Sequence, residues 1–201
     1  MEKNWADPSA LGNLVIGLLI FSQTFLMYGL VDPLARIAIV PWILTAFPVL
    51  LIVVVIQLRM GDLVGGTCNG LLGVVLMGQN FVKGLIDLSF VLAGKSVPQG
   101  MIMGGYTVDG MAYIVGGVIL LFVGFLACFQ SKLAALAVWA AGIGFICIGL
   151  ANFGFPPVLG FIGVCGIMII GLWLVYSGIA TTVNSTLQKL VLPMGKPFIN
   201  I

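Results

Sequence analysis

The sequence predicts an all-α membrane protein of six transmembrane helices, on the evidence of its composition and the spacing of its charges. Of the 201 residues, 61% are hydrophobic and only 7% are charged, whereas a soluble domain carries roughly 25% charged residues. A soluble fold of this length has too much surface to hide so many apolar side chains. The few charged residues also divide the chain into apolar runs of about 20 residues, the length that a membrane-spanning helix needs.

The charge balance and the missing residue types exclude several classes of function. A net charge of +2 is too small to indicate a nucleic-acid or acidic partner. The chain has no histidine, which is the commonest metal ligand and general base. It contains no phosphate-binding loop, HExxH or GxSxG motif, and its four cysteines lie in apolar stretches without a CxxC pair. We therefore expect no enzyme activity, cofactor, metal or disulfide.

Six apolar runs follow one another along the chain. The third is glycine-rich, and Lys83 and Asp87 obscure its end. One interpretation ends this helix near Val82 and leaves both charges at the membrane interface; the other keeps them inside the membrane, where charges are functional by default. Residues 94–109, with Lys95, Pro98 and several glycines, predict a loop. The predicted spans are residues 11–31, 37–58, a third run from 63, and then 110–128, 133–153 and 158–180.

These runs set the domain organisation and the orientation. Residues 1–10 form an N-terminal segment, 11–180 the six-helix domain and 181–201 a C-terminal tail. Asp7 is expected to cap the first helix, and the first run is too long for a signal peptide. An even number of spans places both termini on one side of the membrane. The distribution of Lys and Arg favours the cytoplasmic side of a cell (inner) membrane for them. With that orientation the inner segments hold Lys3, Arg59, Lys132, Lys189 and Lys196, and the outer ones hold Arg36, Lys83 and Lys95.

Small and neutral polar residues inside the spans indicate close packing and a possible solute path. The chain has 28 glycines, and small residues let membrane helices approach closely. Neutral amides and hydroxyls in a span either bond a neighbouring helix or replace water around a solute. The number of such groups here exceeds what we expect for packing alone. They include Asn13, Ser22, Gln23, Thr24, Thr67, Asn69, Gln79, Asn80, Asn152, Tyr176, Ser177 and Asn184.

Four short motifs, in matching order and spacing, resemble the acetate uptake transporter family, which includes the bacterial acetate–succinate permeases. The family's Asn-Pro-x-Pro-Leu-Gly signature corresponds to residues 7–12 here, and the start of its third helix to residues 61–73. A Gly-Asn pair that closes its fifth helix is similar to Ala151-Asn152. The last helix and tail retain Tyr176, Asn184 and Leu192-Pro193-x-Gly195. The matching motif positions are Asp7, Pro8, Leu11, Gly12, Gly61, Gly65, Gly73, Pro193 and Gly195.

The resemblance implies a homo-hexamer in the lipid bilayer, with one solute path in each six-helix protomer. It implies passage of acetate and related short monocarboxylates, by a channel-like or proton-coupled process. The constriction that the family builds from Phe, Tyr and Leu corresponds here to Ile16, Leu72 and Ala141. The resemblance and the polar pattern together place further polar groups along the path, namely Thr67, Asn69, Asn152, Tyr176 and Asn184.

None of the three constriction residues matches the family, and this changes the expected selectivity. Leu72 offers no hydroxyl where the family has tyrosine, so the predicted constriction is purely apolar and favours neutral solutes over anions. Acetic acid would suit it, and so would urea or a short amide. The plan is also similar to that of the hexameric urea and short-chain amide channels, which remain the alternative. An intramembrane enzyme and a structural or sensory bundle without flux are two further hypotheses.

Overall fold

The computed structural model describes residues 6–27, 31 and 36–199, and its folded elements are helical. Long helices are the expected outcome, because backbone groups in a bilayer must find their hydrogen bonds within the segment. Five helices are long and apolar enough to span a membrane, and α1 is a shorter apolar helix. In chain order the helices are α1 (Ser9–Met27), α2 (Arg36–Arg59), α3 (Leu63–Leu92), α4 (Gln99–Ala127), α5 (Lys132–Asn152) and α6 (Pro157–Leu187).

The helices pack as a ring in which sequence neighbours are also neighbours in space. Helix α4 packs on α5, α5 on α6, α6 on α1, and α1 and α2 on α3, while the first turns of α3 reach α4. The first turns of α1 lie beside the last turns of α6, since a Cβ added at Gly178 would be 2.9 Å from the carbonyl oxygen of Ala10. The tail returns to the α4–α5 loop, where Lys132 N donates to Lys196 O at 2.9 Å. We call the end of the bundle that carries the α4–α5 loop and the C-terminal tail the terminal end, and we call the opposite end the far end.

The predicted loop over residues 94–109 is wrong, because α4 begins at Gln99 and passes through Asp109. Pro98 directly precedes the helix, and its carbonyl oxygen accepts from Met101 N at 3.0 Å. Glycine and proline are ordinary loop signals, but glycine is frequent inside membrane helices. Proline suits the start of a helix because the first N–H groups have no partner there.

Two predicted helix ends also prove too early. Helix α3 continues to Leu92, so Lys83 and Asp87 both lie within it rather than beyond an end near Val82. Helix α6 continues past residue 180 to Leu187, where Gln188 adopts a left-handed conformation with φ 49°. At the other boundary α1 begins at Ser9, whose N–H donates to Asp7 Oδ1 at 2.9 Å, as the predicted cap requires.

Candidate functional site

A small cavity of about 30 Å³ lies at the centre of the bundle, where five of the six helices meet. A cavity of this volume has room for at least one water molecule. Tyr113 of α4 and Phe145 of α5 close one side, with their rings stacked at 5.6 Å between centroids. The lining is otherwise almost entirely aliphatic and consists of Ile20, Gln23, Leu72, Leu76, Met77, Asn80, Tyr113, Phe145, Ile167 and Ile170.

Two amides supply polar groups to this apolar chamber. Gln23 of α1 lines the cavity, and its Nε2 is buried without a hydrogen-bond partner. Asn80 of α3 also lines it and donates from Nδ2 to the carbonyl oxygen of Leu76 at 3.1 Å. A buried unpaired donor costs about 1–3 kcal/mol. A molecule in the cavity with an acceptor oxygen would remove that cost at Gln23.

Toward the terminal end, the bundle beyond the cavity is filled by apolar side chains. Ile16 is fully buried and Leu72 is 3% exposed. Helix α3 can approach here because residue 73 is glycine: a Cβ at Gly73 would lie 3.0 Å from Ile16 Cδ1 and 2.9 Å from Leu50 Cδ1. These residues form the apolar layer, defined as Ile16, Leu19, Leu50 and Leu72, all of them buried.

The segment of α3 at this level is π-helical rather than α-helical, from Gly70 to Leu76. It supplies Leu72 and Leu76 to the cavity wall. An i→i+5 pattern turns successive side chains by a different angle from that of an α-helix, and such segments occur often at functional sites. The π-segment therefore presents to the cavity a set of side chains that a regular helix would orient differently.

At the terminal end, the polar side chains are paired with one another. Asn69 Nδ2 donates to Gln57 Oε1 at 2.9 Å, and Gln57 Nε2 donates to Asp62 Oδ2 at 3.3 Å. Asn13 Nδ2 donates to Ser177 Oγ at 3.0 Å. The two buried amides and the buried serine are thus satisfied, as buried polar groups usually are.

Toward the far end, a cluster of charged and polar side chains joins α3 to α4. Lys83 forms an ion pair with Asp109, their side chains being 29% and 13% exposed. Gln79 Nε2 donates to Asp109 Oδ1 at 2.5 Å, while Gln79 Oε1 is buried without a partner. This ion pair links Lys83 of α3 to the neighbouring helix α4.

The predicted constriction residues occupy the buried core, and one of them lines the cavity. Leu72 is in the cavity wall, and Ile16 lies one turn before Ile20, which is also in the wall. Ala141 is fully buried on α5, one turn before Phe145. Ile16 thus approaches α3 beside Leu72, and Ala141 lies one turn from the wall on α5, toward the terminal end. Their role as a constriction stays a prediction.

The predicted polar path residues are spread over the bundle. Asn69 lies in the paired network, Thr67 is exposed, and Asn152 is half-buried beside Gly110. Tyr176 donates its hydroxyl to Pro193 O at 2.7 Å, and Asn184 Nδ2 donates to Leu192 O at 2.8 Å. The last two side chains hold the tail against α6.

The motif residues have identifiable structural tasks. Gly12 lets α1 approach α2 and α3, because a Cβ there would lie 2.7 Å from Val53 Cγ1. A Cβ at Gly65 would lie 2.1 Å from Asp62 Oδ2. Gly61 and Gly195 have φ values of +82° and +85°, a region that favours glycine. These motif positions therefore fix backbone geometry around the path.

Several cavity residues could not be selected from the sequence. Gln23 and Asn80 stood among many polar residues, and no pattern separated them from the rest. Tyr113 and Phe145 are ordinary apolar residues in a membrane sequence. Their common location depends on how α3, α4 and α5 pack, and hydrophobic periodicity is nearly flat in such helices (mean hydropathy +1.25).

Comparison with known proteins shows a likeness in fold. No family model and no curated protein matches the sequence. Among solved structures, the chain is similar to the bacterial acetate channel SatP, with a TM-score of 0.74 and 18% sequence identity. The match covers 96% of this chain and 100% of that one. The chain is therefore a helical membrane protein with the fold of that channel.

Proposed function

We propose that this protein is a membrane channel or transporter for acetate or a related short-chain monocarboxylate. The observation that carries the proposal is the central cavity with one unpaired amide donor, set in a fold that matches an acetate channel over 96% of the chain. An enzyme is not supported by this likeness, and neither is a bundle without flux.

The chemistry of the path favours the neutral acid over its anion. The buried side chains of α1 between Asn13 and Gln23 are those of Ile16, Leu19 and Ile20, over about 15 Å at 1.5 Å per residue. Moving a carboxylate through such a region is costly without a counter-charge. Acetic acid would cross with its proton, accept a hydrogen bond from Gln23 Nε2, and release the proton on the other side.

The described conformation is a closed one in this scheme. A cavity of about 30 Å³ has room for at least one water molecule, and the buried side chains of Ile16 and Leu72 close it toward the terminal end. Passage requires Ile16 and Leu72 to move apart. Leu72 belongs to the π-segment, whose hydrogen bonds can rearrange toward a regular α-helix. This rearrangement would change where Leu72 points.

The assembly and orientation follow the resemblance. We propose a homo-hexamer in the cell (inner) membrane, with a path in each protomer and both termini on the cytoplasmic side. Exposed apolar side chains such as Trp42 (56%) and Phe122 (72%) would face lipid or a neighbouring protomer. The mass of the detergent-solubilised complex, measured with the detergent subtracted, tests the hexamer.

The experiment that tests the function measures uptake of labelled acetate, urea and acetamide into proteoliposomes at two pH values. Acetate uptake should rise as pH falls toward about 4–5, where a carboxylic acid becomes neutral. Protein-free liposomes give the background, since neutral acids also cross lipid. Leu72→Trp should reduce uptake at least tenfold by filling the cavity. Val75→Trp is the matched control, because Val75 lies on the same helix but is 58% exposed.

A channel for urea or short-chain amides is the alternative, favoured by the same unpaired donor at Gln23. An amide carbonyl accepts that hydrogen bond as well as a carboxylic acid does. Amide uptake should not depend on pH between 5 and 8. If urea or acetamide enters the proteoliposomes and acetate does not, the proposed path is supported and the solute is an amide rather than a carboxylic acid. Equal uptake by the Leu72→Trp variant and the wild type would show that Leu72 does not line the path.

A further inference from the structure

We propose that Lys83 is a docking point for the carboxylate of an anionic solute at the far end of the path, and that Asp109 occupies it in the absence of solute. The inference rests on the proposed function, because it requires a carboxylate to enter the path. It begins from the far-end cluster, defined as Gln79, Lys83 and Asp109.

The cluster lies at the edge of the central cavity on two helices at once. Lys83 is one turn beyond Asn80 on α3, and Asp109 is one turn before Tyr113 on α4; Asn80 and Tyr113 both line the cavity. Side chains three or four residues apart share a helix face. A solute that moves between the cavity and the far end therefore passes beside this ion pair.

The donors around Asp109 also suit a free carboxylate. One oxygen of Asp109 is bound by Lys83 and the other by Gln79 Nε2. A carboxylate prefers a cation and further hydrogen-bond donors when it is withdrawn from water. An acetate ion offers the same pair of oxygens in the same geometry. It could therefore replace Asp109 at Lys83 without leaving the ammonium group unpaired.

Lys83 differs in charge from the polar groups at the other end of the proposed path. At the terminal end, the buried side chains of Gln57, Asn69 and Ser177 are neutral, and the charged partner of Gln57 is a carboxylate, Asp62. Lys83 is thus the cation that lies nearest the cavity along α3. An anion can be concentrated beside it before taking up a proton from water and entering the apolar layer as the neutral acid. A neutral amide would gain nothing from Lys83.

The test compares acetate and acetamide uptake at about pH 7, where acetate is an anion. Lys83→Met should raise the half-saturation concentration for acetate about tenfold. Asp109→Asn should lower it about threefold, because the internal competitor has lost its charge. The double variant Lys83→Met with Asp109→Asn removes the half-buried charge pair as a whole, a change that protein interiors tolerate better than a single unpaired charge. It should behave toward acetate as Lys83→Met does.

Lys95→Met is the control for loss of positive charge, since Lys95 is exposed in the α3–α4 loop. This variant should take up acetate and acetamide with the same half-saturation concentrations as the wild type. A purely structural ion pair predicts the opposite pattern: both single variants would weaken acetate and acetamide uptake equally, and the double variant would recover. That pattern, or a rise in half-saturation for Asp109→Asn, overturns the inference. Wild-type protein that carries no acetate overturns the proposed function instead.

Discussion

The two halves of the bundle use glycine differently. Between α4, α5 and α6, glycines bring backbones into contact: a Cβ at Gly117 would lie 2.6 Å from Gly142 O, and one at Gly166 would lie 2.3 Å from Ala140 O. On α3, glycines make room for side chains, such as Val54 at 3.6 Å from a Cβ at Gly70. Backbones cannot retreat, whereas side-chain ends can rotate. The half made of α4, α5 and α6 is therefore a rigid scaffold, which we call the scaffold half, whereas the side chains packed on α3 can adjust around the proposed path.

The comparison is tested most strongly by Gly166→Ala in the scaffold half. The added methyl would overlap the backbone of α5, so the helices must separate. Overpacking of this kind costs about 3 kcal/mol at its upper range. Unfolding of the purified protein in mixed micelles, followed by circular dichroism against increasing SDS, measures the loss.

Gly160→Ala is the matched control on the same helix, because a Cβ there would meet only Ala151 Cβ at 3.6 Å. It should change stability by less than about 1 kcal/mol. Equal stability for the two alanine variants would show that the backbone contact between α5 and α6 is not rigid, and the comparison would lose its basis.

The second prediction concerns the paired amides at the terminal end. Asn69→Leu removes the donor to Gln57, which is 1% exposed, and leaves a buried amide oxygen unpaired. The expected loss is about 1–2 kcal/mol, since hydrogen bonds between membrane helices contribute modestly. The same unfolding assay measures it.

The double variant Gln57→Leu with Asn69→Leu removes both partners and should recover at least half of that loss. A loss that doubles would mean that the two amides act independently, through other contacts. The central cavity and the far end differ in this respect, because Gln23 Nε2 in the cavity and Gln79 Oε1 at the far end already lack hydrogen-bond partners. Removing those atoms should therefore cost little stability.

The contrast between the two halves also explains which features the sequence could predict. Six spans followed from composition and charge spacing alone, because lipid imposes length and apolarity on each helix. Leu72, which the motif around Gly61 and Gly73 placed on the predicted path, lies in the cavity wall, and its role in a constriction stays a prediction.

Long-range contacts could not be predicted in the same way. The ion pair of Lys83 with Asp109 joins two helices, whereas spacing along one helix points only to i,i+4 neighbours such as Asp87. The predicted loop over residues 94–109 removed Asp109 from the membrane helices, so the pair could not be anticipated. Glycine signals were ambiguous for the same reason, because a glycine in a backbone contact and one beside a flexible side chain look alike in sequence.

The smallest expected effect comes from α3, where Gly70→Ala should be tolerated. The new Cβ would make ordinary contact with Val54, and alanine favours helix by about 0.5–1 kcal/mol over glycine. Stability should stay equal or rise by up to that amount, with uptake unchanged. Gly73→Ala is the informative neighbour, because its Cβ would press on Ile16 Cδ1 at 3.0 Å. It should lower solute uptake about twofold to fivefold while leaving the unfolding midpoint within the range of Gly70→Ala. Loss of stability at Gly73 comparable to that at Gly166 would place α3 in the rigid scaffold and would argue against movement of the apolar layer.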